Sequence, residues 1–416
     1  ATAPSTGAQV IYTSATGALV NVSGNDAVGV GTGTSAPTTD INGNSRIRGA
    51  NNEYADPGAF TTDLITATKI IDVNEGFPYD YSGFVDADDD AEEVAHELLG
   101  GTRENLAQRN GAIVFEARSG VYPIGNLISD STIIADSSRN VTYKGTGDVT
   151  LSSNSGSVLN RDDFIVFDGV DINTTVTAFN NQGRQCVLKN CTVTAGTHAV
   201  LNADGASLTC DNVIVDSNNY SFYASNNTEL LTTLTLRNCT VVRAQQAVPI
   251  RLQSFAPNSV VSASIDNCLV LDTASQYYDS GDPGTIRLSG GGNVGGAGTA
   301  FPTGLRAEGQ TWTFSTSATA PSTGNQVIYT SATGALLNVS GNDAIGVGDG
   351  TVAPTTDING NDRIRGANNE YADPGAFTTD LVTFNRKIGP FREYTTFNDA
   401  ENDVVAISTD GNLAQR

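Results

Sequence analysis

The chain contains one stretch of itself twice. Residues 2–66 recur as 319–383 at a fixed offset of 317, and only seven of the 65 positions differ: Ala8/Asn325, Val20/Leu337, Val28/Ile345, Thr32/Asp349, Ser35/Val352, Ser45/Asp362 and Ile65/Val382. The likeness resumes where Phe84–Asp90 matches Phe397–Asp403. It returns where Asn105–Arg109 matches Asn412–Arg416, now at an offset of 307. Duplication of this kind marks arrays of structural units. It divides the chain into a closing or linker module at 1–109, a central body at 110–316 and a second closing module at 317–416. A fibre or surface array has use for a duplicated end piece; an enzyme seldom does.

The central body carries a second, weaker period. Gly169-Val170, Asn190-Cys191, Asn212-Val213, Asn238-Cys239 and Asn267-Cys268 head equivalent motifs spaced by 21, 22, 26 and 29 residues. An alternating apolar segment precedes each head, as in Cys186–Leu188, Leu208–Cys210, Leu234–Leu236 and Ala263–Ile265. Alternation over a few β-branched residues reads as strand. Short strands at this period, broken by polar turns, fit the rungs of a parallel β-helix. Like side chains then stack in ladders, and backbone groups pair from coil to coil. Asn suits the repeated turn because it tolerates left-handed backbone and can hydrogen-bond its neighbour. Cys191, Val213, Cys239 and Cys268 fall one residue past the head and read as small apolar fillers of an inward ladder. At about 22 residues per coil, 110–300 would hold roughly nine coils.

Composition narrows the partners. The net charge is −23 and only four lysines are present, which argues against nucleic acid and anionic lipid. No run of about 18 apolar residues occurs, so no membrane-spanning helix is expected. Five cysteines without a CxxC pair form neither a zinc pattern nor a disulfide framework. Methionine is absent and no signal peptide is visible, so the chain reads as a processed product or a fragment.

These residues carry a resemblance. The coils resemble right-handed parallel β-helix proteins of the pectin-lyase-like class. The duplicated piece resembles the closing segment of bacterial surface proteins with choice-of-anchor Q domains, where an Asp-x-x-Gly-x-x-Arg turn precedes an Ile-Gly-Ala-Phe/Tyr-Glu-like ending. The matching residues are Asp40–Arg46 with Asp56–Phe60, and again Asp357–Arg363 with Asp373–Phe377. Proline stands where the family favours Ile, and Thr61 and Thr378 replace the final acid. The resemblance implies an all-β, right-handed parallel β-helix with β-rich closing modules, held at a cell surface.

Two candidate sites emerge. Asp86, Asp88 and Asp90, with Asp399, Glu401 and Asp403 at the matching places, set hard oxygen ligands at alternate positions, as calcium prefers. The rival reading is a helix start with Asp90 as N-cap, Ala91, Val94, Ala95 and Leu98 as the apolar stripe, and Gly100 as the stop. Tyr220, Phe222 and Tyr223 beside Asn218 and Asn219 form a candidate glycan-contact cluster. In the Asp40–Arg46 turn, a contact between the two charged ends is expected. Catalysis on polysaccharides would need motifs such as Gly-His-Gly with paired aspartates, which the sequence lacks; Asp162-Asp163 is the best carboxylate doublet. The expectation is an extracellular or cell-surface structural protein that joins copies of itself head to tail in a fibre, sheath or stalk. The alternative is a carbohydrate-binding adhesin, and behind it a polysaccharide lyase or hydrolase.

Overall fold

The computed structural model describes most of residues 65–98, 111–129, 140–295 and 312–379, with parts of 10–59. The protein is nearly all-β, a parallel β-solenoid in which coil follows coil along the chain. Its contacts divide it into two compact units, residues 1–187 with 205–208, and residues 188–204 with 209–416.

In the first unit β1 (Ile65–Ile71) pairs in parallel with β2 (Gly111–Pro123). The short β3 (Leu127–Ser129) follows; β2 also pairs with β4 (Asn140–Ser153), after which comes β5 (Val158–Asn160). Strand β6 (Phe164–Thr174) pairs with β4, while β3, β5 and β7 (Phe179–Asn181) form the second wall. The register sets Phe115 opposite Tyr143 and Tyr143 opposite Phe167. Their rings stack inside the coils at centroid distances of 5.3 and 5.1 Å. Such ladders follow from parallel pairing, which places the same inward position of each coil above the last.

Helix α1 (Phe84–Leu98) covers this aromatic interior. Phe84, Ala87, Ala91 and Val94 form its buried stripe, and Phe84 meets Tyr122 and Tyr143 at 5.2 and 5.3 Å between ring centroids. The helix reading of the acidic patch therefore holds, with one correction. The helix starts at Phe84 and not at Asp90, because Phe84 and Ala87 add a further turn of apolar stripe. This end of the solenoid is capped from within the chain.

Strands β8 (Gln185–Lys189) and β11 (Ser207–Asp211) are cut by the division between units. In the second unit β9 (Thr192–Ala195), β12 (Ile214–Ser217), β15 (Thr240–Ala244), β18 (Leu269–Val270) and β21 (Val294–Gly295) pair in succession. Alongside run β14 (Leu231–Arg237), β17 (Val260–Asp266) and β20 (Thr285–Gly291). The opposite wall is β10 (Val200–Ala203), β13 (Phe222–Asn226), β16 (Ile250–Ser254) and β19 (Tyr277–Ser280). Three such strands in the first unit and four in the second make seven among the described residues, fewer than the nine coils expected. The coils before β6 and after β14 are simply longer than 22 residues.

The turn heads behave as the sequence implies. Asn190, Asn212, Asn238 and Asn267 have φ between 52° and 55°, and Gly169 and Gly292 take the same place at 69°. Each Asn amide donates to the next coil, as in Asn190 N–H to Asp211 O at 3.0 Å and Asn267 N–H to Gly291 O at 2.9 Å. Side chains join in: Asn212 Nδ2 donates to Asn190 Oδ1 at 3.0 Å, and Asn267 Nδ2 to Asn238 Oδ1 at 3.3 Å. Gly replaces Asn at 292 for want of room, since a Cβ there would lie 2.4 Å from Asn267 Oδ1. All five cysteines are buried and none forms a disulfide, and burial raises the Cys268 thiol's pKa well above its usual range. They are fillers of the inward ladder.

Candidate functional site

Outward from the Asn turns lies a flank that is apolar where solvent would normally be. Ile214, Thr240, Leu269 and Val294 stand in register on the outer side of β12, β15, β18 and β21, and all four are buried. Residues 325–379, including β23 (Asn325–Ile328), cover them. Before it β22 (Trp312–Ser315) pairs with β23, and Trp312, Val327, Tyr329, Leu336 and Ala344 form one cluster with Leu269, Leu271 and Val294. Ala376 forms another with Ile214 and Val242, flanked by Ile358 and Phe377. The second closing module is thus a clamp on the flank.

Arg363 is its keystone. The residue is 6% exposed, and its guanidinium donates through Nη2 to Asn212 Oδ1 at 2.7 Å and to the carbonyls of Gly375 and Ala376 at 3.0 Å each. Through Nη1 it reaches the carbonyls of Asp373 at 3.3 Å and Phe377 at 3.1 Å. The Asn turns complete the clamp. Asn212 Nδ2 donates to Thr356 O, Asn238 Nδ2 to Asp373 O, and Asn267 exchanges two bonds with the Asp349 backbone at 2.7 and 2.8 Å. Gly375, at φ 92°, passes so close that a Cβ would sit 2.6 Å from Thr240 Oγ1. The expected Asp40–Arg46 contact lies outside the described residues. In the second copy the carboxylate of Asp357 accepts from the backbone amides of Asn359 and Asn361 at 2.9 Å each and of Thr378 at 3.3 Å, holding the loop shape while the arginine holds the solenoid.

The first copy repeats the clamp's internal bonds. Asn25 exchanges two bonds with Ile11 at 3.1 and 2.7 Å, as Asn342 does with Ile328 at 3.1 and 2.7 Å. Isolated antiparallel bridges join Tyr12 to Leu19 and Tyr329 to Leu336. Ile41 N–H reaches Ala59 O at 2.9 Å, as Ile358 reaches Ala376 at 3.0 Å. The Arg46 equivalent lies outside the described residues.

A second feature lies on the wall of β10, β13 and β16. His198 stacks on Tyr220 at 5.1 Å between centroids, Tyr220 meets Tyr223 at 5.4 Å, and the Arg251 guanidinium lies 4.6 and 5.3 Å from the two tyrosine rings. Arg251 Nη1 donates to the Tyr220 hydroxyl, and the Tyr223 hydroxyl donates to Gln253 Oε1 at 2.6 Å. Burial lowers the pKa of His198, with Arg251 adding to the effect, and burial raises that of Tyr223. A neutral imidazole, two phenols and a guanidinium on one partly exposed patch can stack on an apolar ring face and bond its hydroxyls. Phe222 is not part of this surface. It is 1% exposed, because strand alternation turns it inward while Tyr223 turns out. His198 and Arg251 were missed because they come from neighbouring coils and join only through the register.

The acidic candidates are spread differently. Asp86 is exposed and accepts from the Ser82 hydroxyl at 3.2 Å; Asp88 is 3% exposed and accepts from the Tyr143 hydroxyl at 2.7 Å. Alternate positions on a helix point about 200° apart, so these carboxylates do not converge. Among the described residues no group of three His, Cys, Asp or Glu side chains could hold a metal. The side chain of Asp90, and Asp399, Glu401 and Asp403 entirely, lie outside the described residues. No helix among them is long and apolar enough to cross a membrane. No family model matches the chain, and neither does any curated protein or solved structure.

Proposed function

We propose that this protein is a structural unit of an extracellular or cell-surface assembly, in which β-helical units follow one another in series as a fibre, sheath or stalk. The observation that carries it is the pair of near-identical modules, of which the second clamps the solenoid flank and the first keeps the same internal bonds. A free-standing catalyst has no use for a second clamp. The likeness to right-handed, pectin-lyase-like coils and to choice-of-anchor Q closing segments agrees with a surface location. Electron micrographs of the native material test the reading: filaments with an axial repeat are expected, and isolated particles alone would refute it.

A second reading, a carbohydrate-binding adhesin, is favoured by the His198, Tyr220, Tyr223 and Arg251 patch. Binding on a glycan array that is lost in Tyr220→Ala and Tyr223→Ala would support it. Binding unchanged in both variants would remove this patch from the account.

A further inference from the structure

The two copies of the module share sequence and internal bonds but differ in what their outer faces meet. Val327 and Tyr329 are 0% and 2% exposed, whereas their counterparts Val10 and Tyr12 are each 59% exposed. Ile358 packs beside Ile214, Val242 and Ala376, whereas its counterpart Ile41 is 69% exposed. Gly58 and Gly375 share the same left-handed backbone, at φ 98° and 92°. A Cβ on Gly58 would meet nothing within 4 Å, while one on Gly375 would strike Thr240 and Leu269. A valine and a tyrosine that are core residues in one copy, and an isoleucine that packs against the core there, thus stand exposed in the other. Exposed apolar side chains arranged in this way mark an interaction surface.

We propose that the face carrying Val10, Tyr12 and Ile41 docks on the Asn-turn flank of a second copy of this coil stack, seated as Val327, Tyr329 and Ile358 are seated beside Ile214, Leu269 and Leu271. The inference rests on the serial-unit reading and names the surface by which one unit can grip another whose flank is open. The partner is defined by its chemistry: stacked left-handed Asn turns offering amides and carbonyls beside an outward Ile, Thr and Leu ladder. Within this chain that flank is closed by the tethered second copy, whose effective concentration excludes a competitor from another molecule. The first copy therefore takes only a flank whose own clamp is absent or displaced.

The test displaces it in the full-length chain. Gly334→Val with Gly375→Val places side chains against Thr240, Leu269 and Leu271 and vacates the flank. Sedimentation of this variant should show concentration-dependent association, and adding Tyr12→Asp with Ile41→Asp should weaken it by at least about tenfold. Circular dichroism confirms that both variants keep the β-solenoid; if the valines prevent folding, Arg363→Ala carries the same comparison. A folded, open-flank variant that stays monomeric overturns the proposal, as does association that survives the two aspartates. The outcome is separable from the fibre reading. Native fibres that assemble unchanged with Tyr12→Asp and Ile41→Asp would remove this docking surface and leave the fibre, whereas association in trans would stand even if the native material were particulate.

Discussion

Replacing Arg363 by Ala removes donors from five acceptors at once: Asn212 Oδ1 and the carbonyls of Asp373, Gly375, Ala376 and Phe377. A buried acceptor left without a donor costs about 1–3 kcal/mol. Water will enter and rescue some of the five, so with two or three left unmet the clamp loses about 3–5 kcal/mol. The loss is local, because the coils beneath keep their own ladder. Hydrogen exchange is the suitable assay, read at the Gly375 amide, which donates to Asn267 O at 2.7 Å, and the Ala376 amide, which donates to Thr240 Oγ1 at 2.8 Å. Their opening constants should rise by about two to four orders of magnitude. Amides such as Asn212 N–H to Arg237 O should barely change. Arg363→Lys should recover only part of the protection, since one ammonium cannot span the fork. Unchanged exchange at 375 and 376 would show that the arginine does not hold the clamp.

Leu236→Asp or Val193→Asp sets a carboxylate among fully buried neighbours and should cost several kcal/mol, read from urea midpoints; an unchanged midpoint would mean the inward register is wrong. Asn238→Ala should cost about 2–4 kcal/mol, because a Cβ without a local hydrogen bond resists φ 52° and the carbonyls of Asp373 and Gly375 lose a donor. Asn238→Gly should cost less, and equal costs would leave the left-handed turn out of the account. His198 has a lowered pKa, so between the folded value and about 6.5 the unfolded chain binds more protons. Its contribution is present above about 6.5 and fades as the pH falls. Stability measured at pH 7.5 and pH 5 should therefore show a slope that His198→Gln flattens.

The sequence exposes what repeats locally and hides what closes at long range. Asn190, Asn212, Asn238 and Asn267 are legible as turn heads because each follows an alternating strand, and their left-handed backbone needs only that residue type. Counting coils at a uniform 22 residues fails because loops between strands vary while the Asn corner does not. The parity of Phe222 was available, since Phe222 and Ala224 bracket an outward Tyr223, yet clustering aromatics by adjacency ignores it. The clamp was invisible for a different reason: Arg363 and Asn212 lie 151 residues apart. A trace existed nonetheless. Val213-Ile214-Val215 and Cys268-Leu269-Val270 are unbroken apolar runs, as expected of strands covered on both faces. The first turn of the helix is hidden in the sequence because Phe84 finds its aromatic partners, Tyr122 and Tyr143, only in later coils.

The clamp grips three consecutive Asn turns, at 212, 238 and 267, through bonds that each fit one corner only. Inserting or removing a coil between them would slide one corner by about 4.8 Å past its partner, and every bond beyond it would miss. The clamp therefore works as a ruler that fixes how many coils lie beneath it. Among the described residues the gauge reads the corners at 212, 238 and 267, so relatives of different reach would share these coils and differ in others.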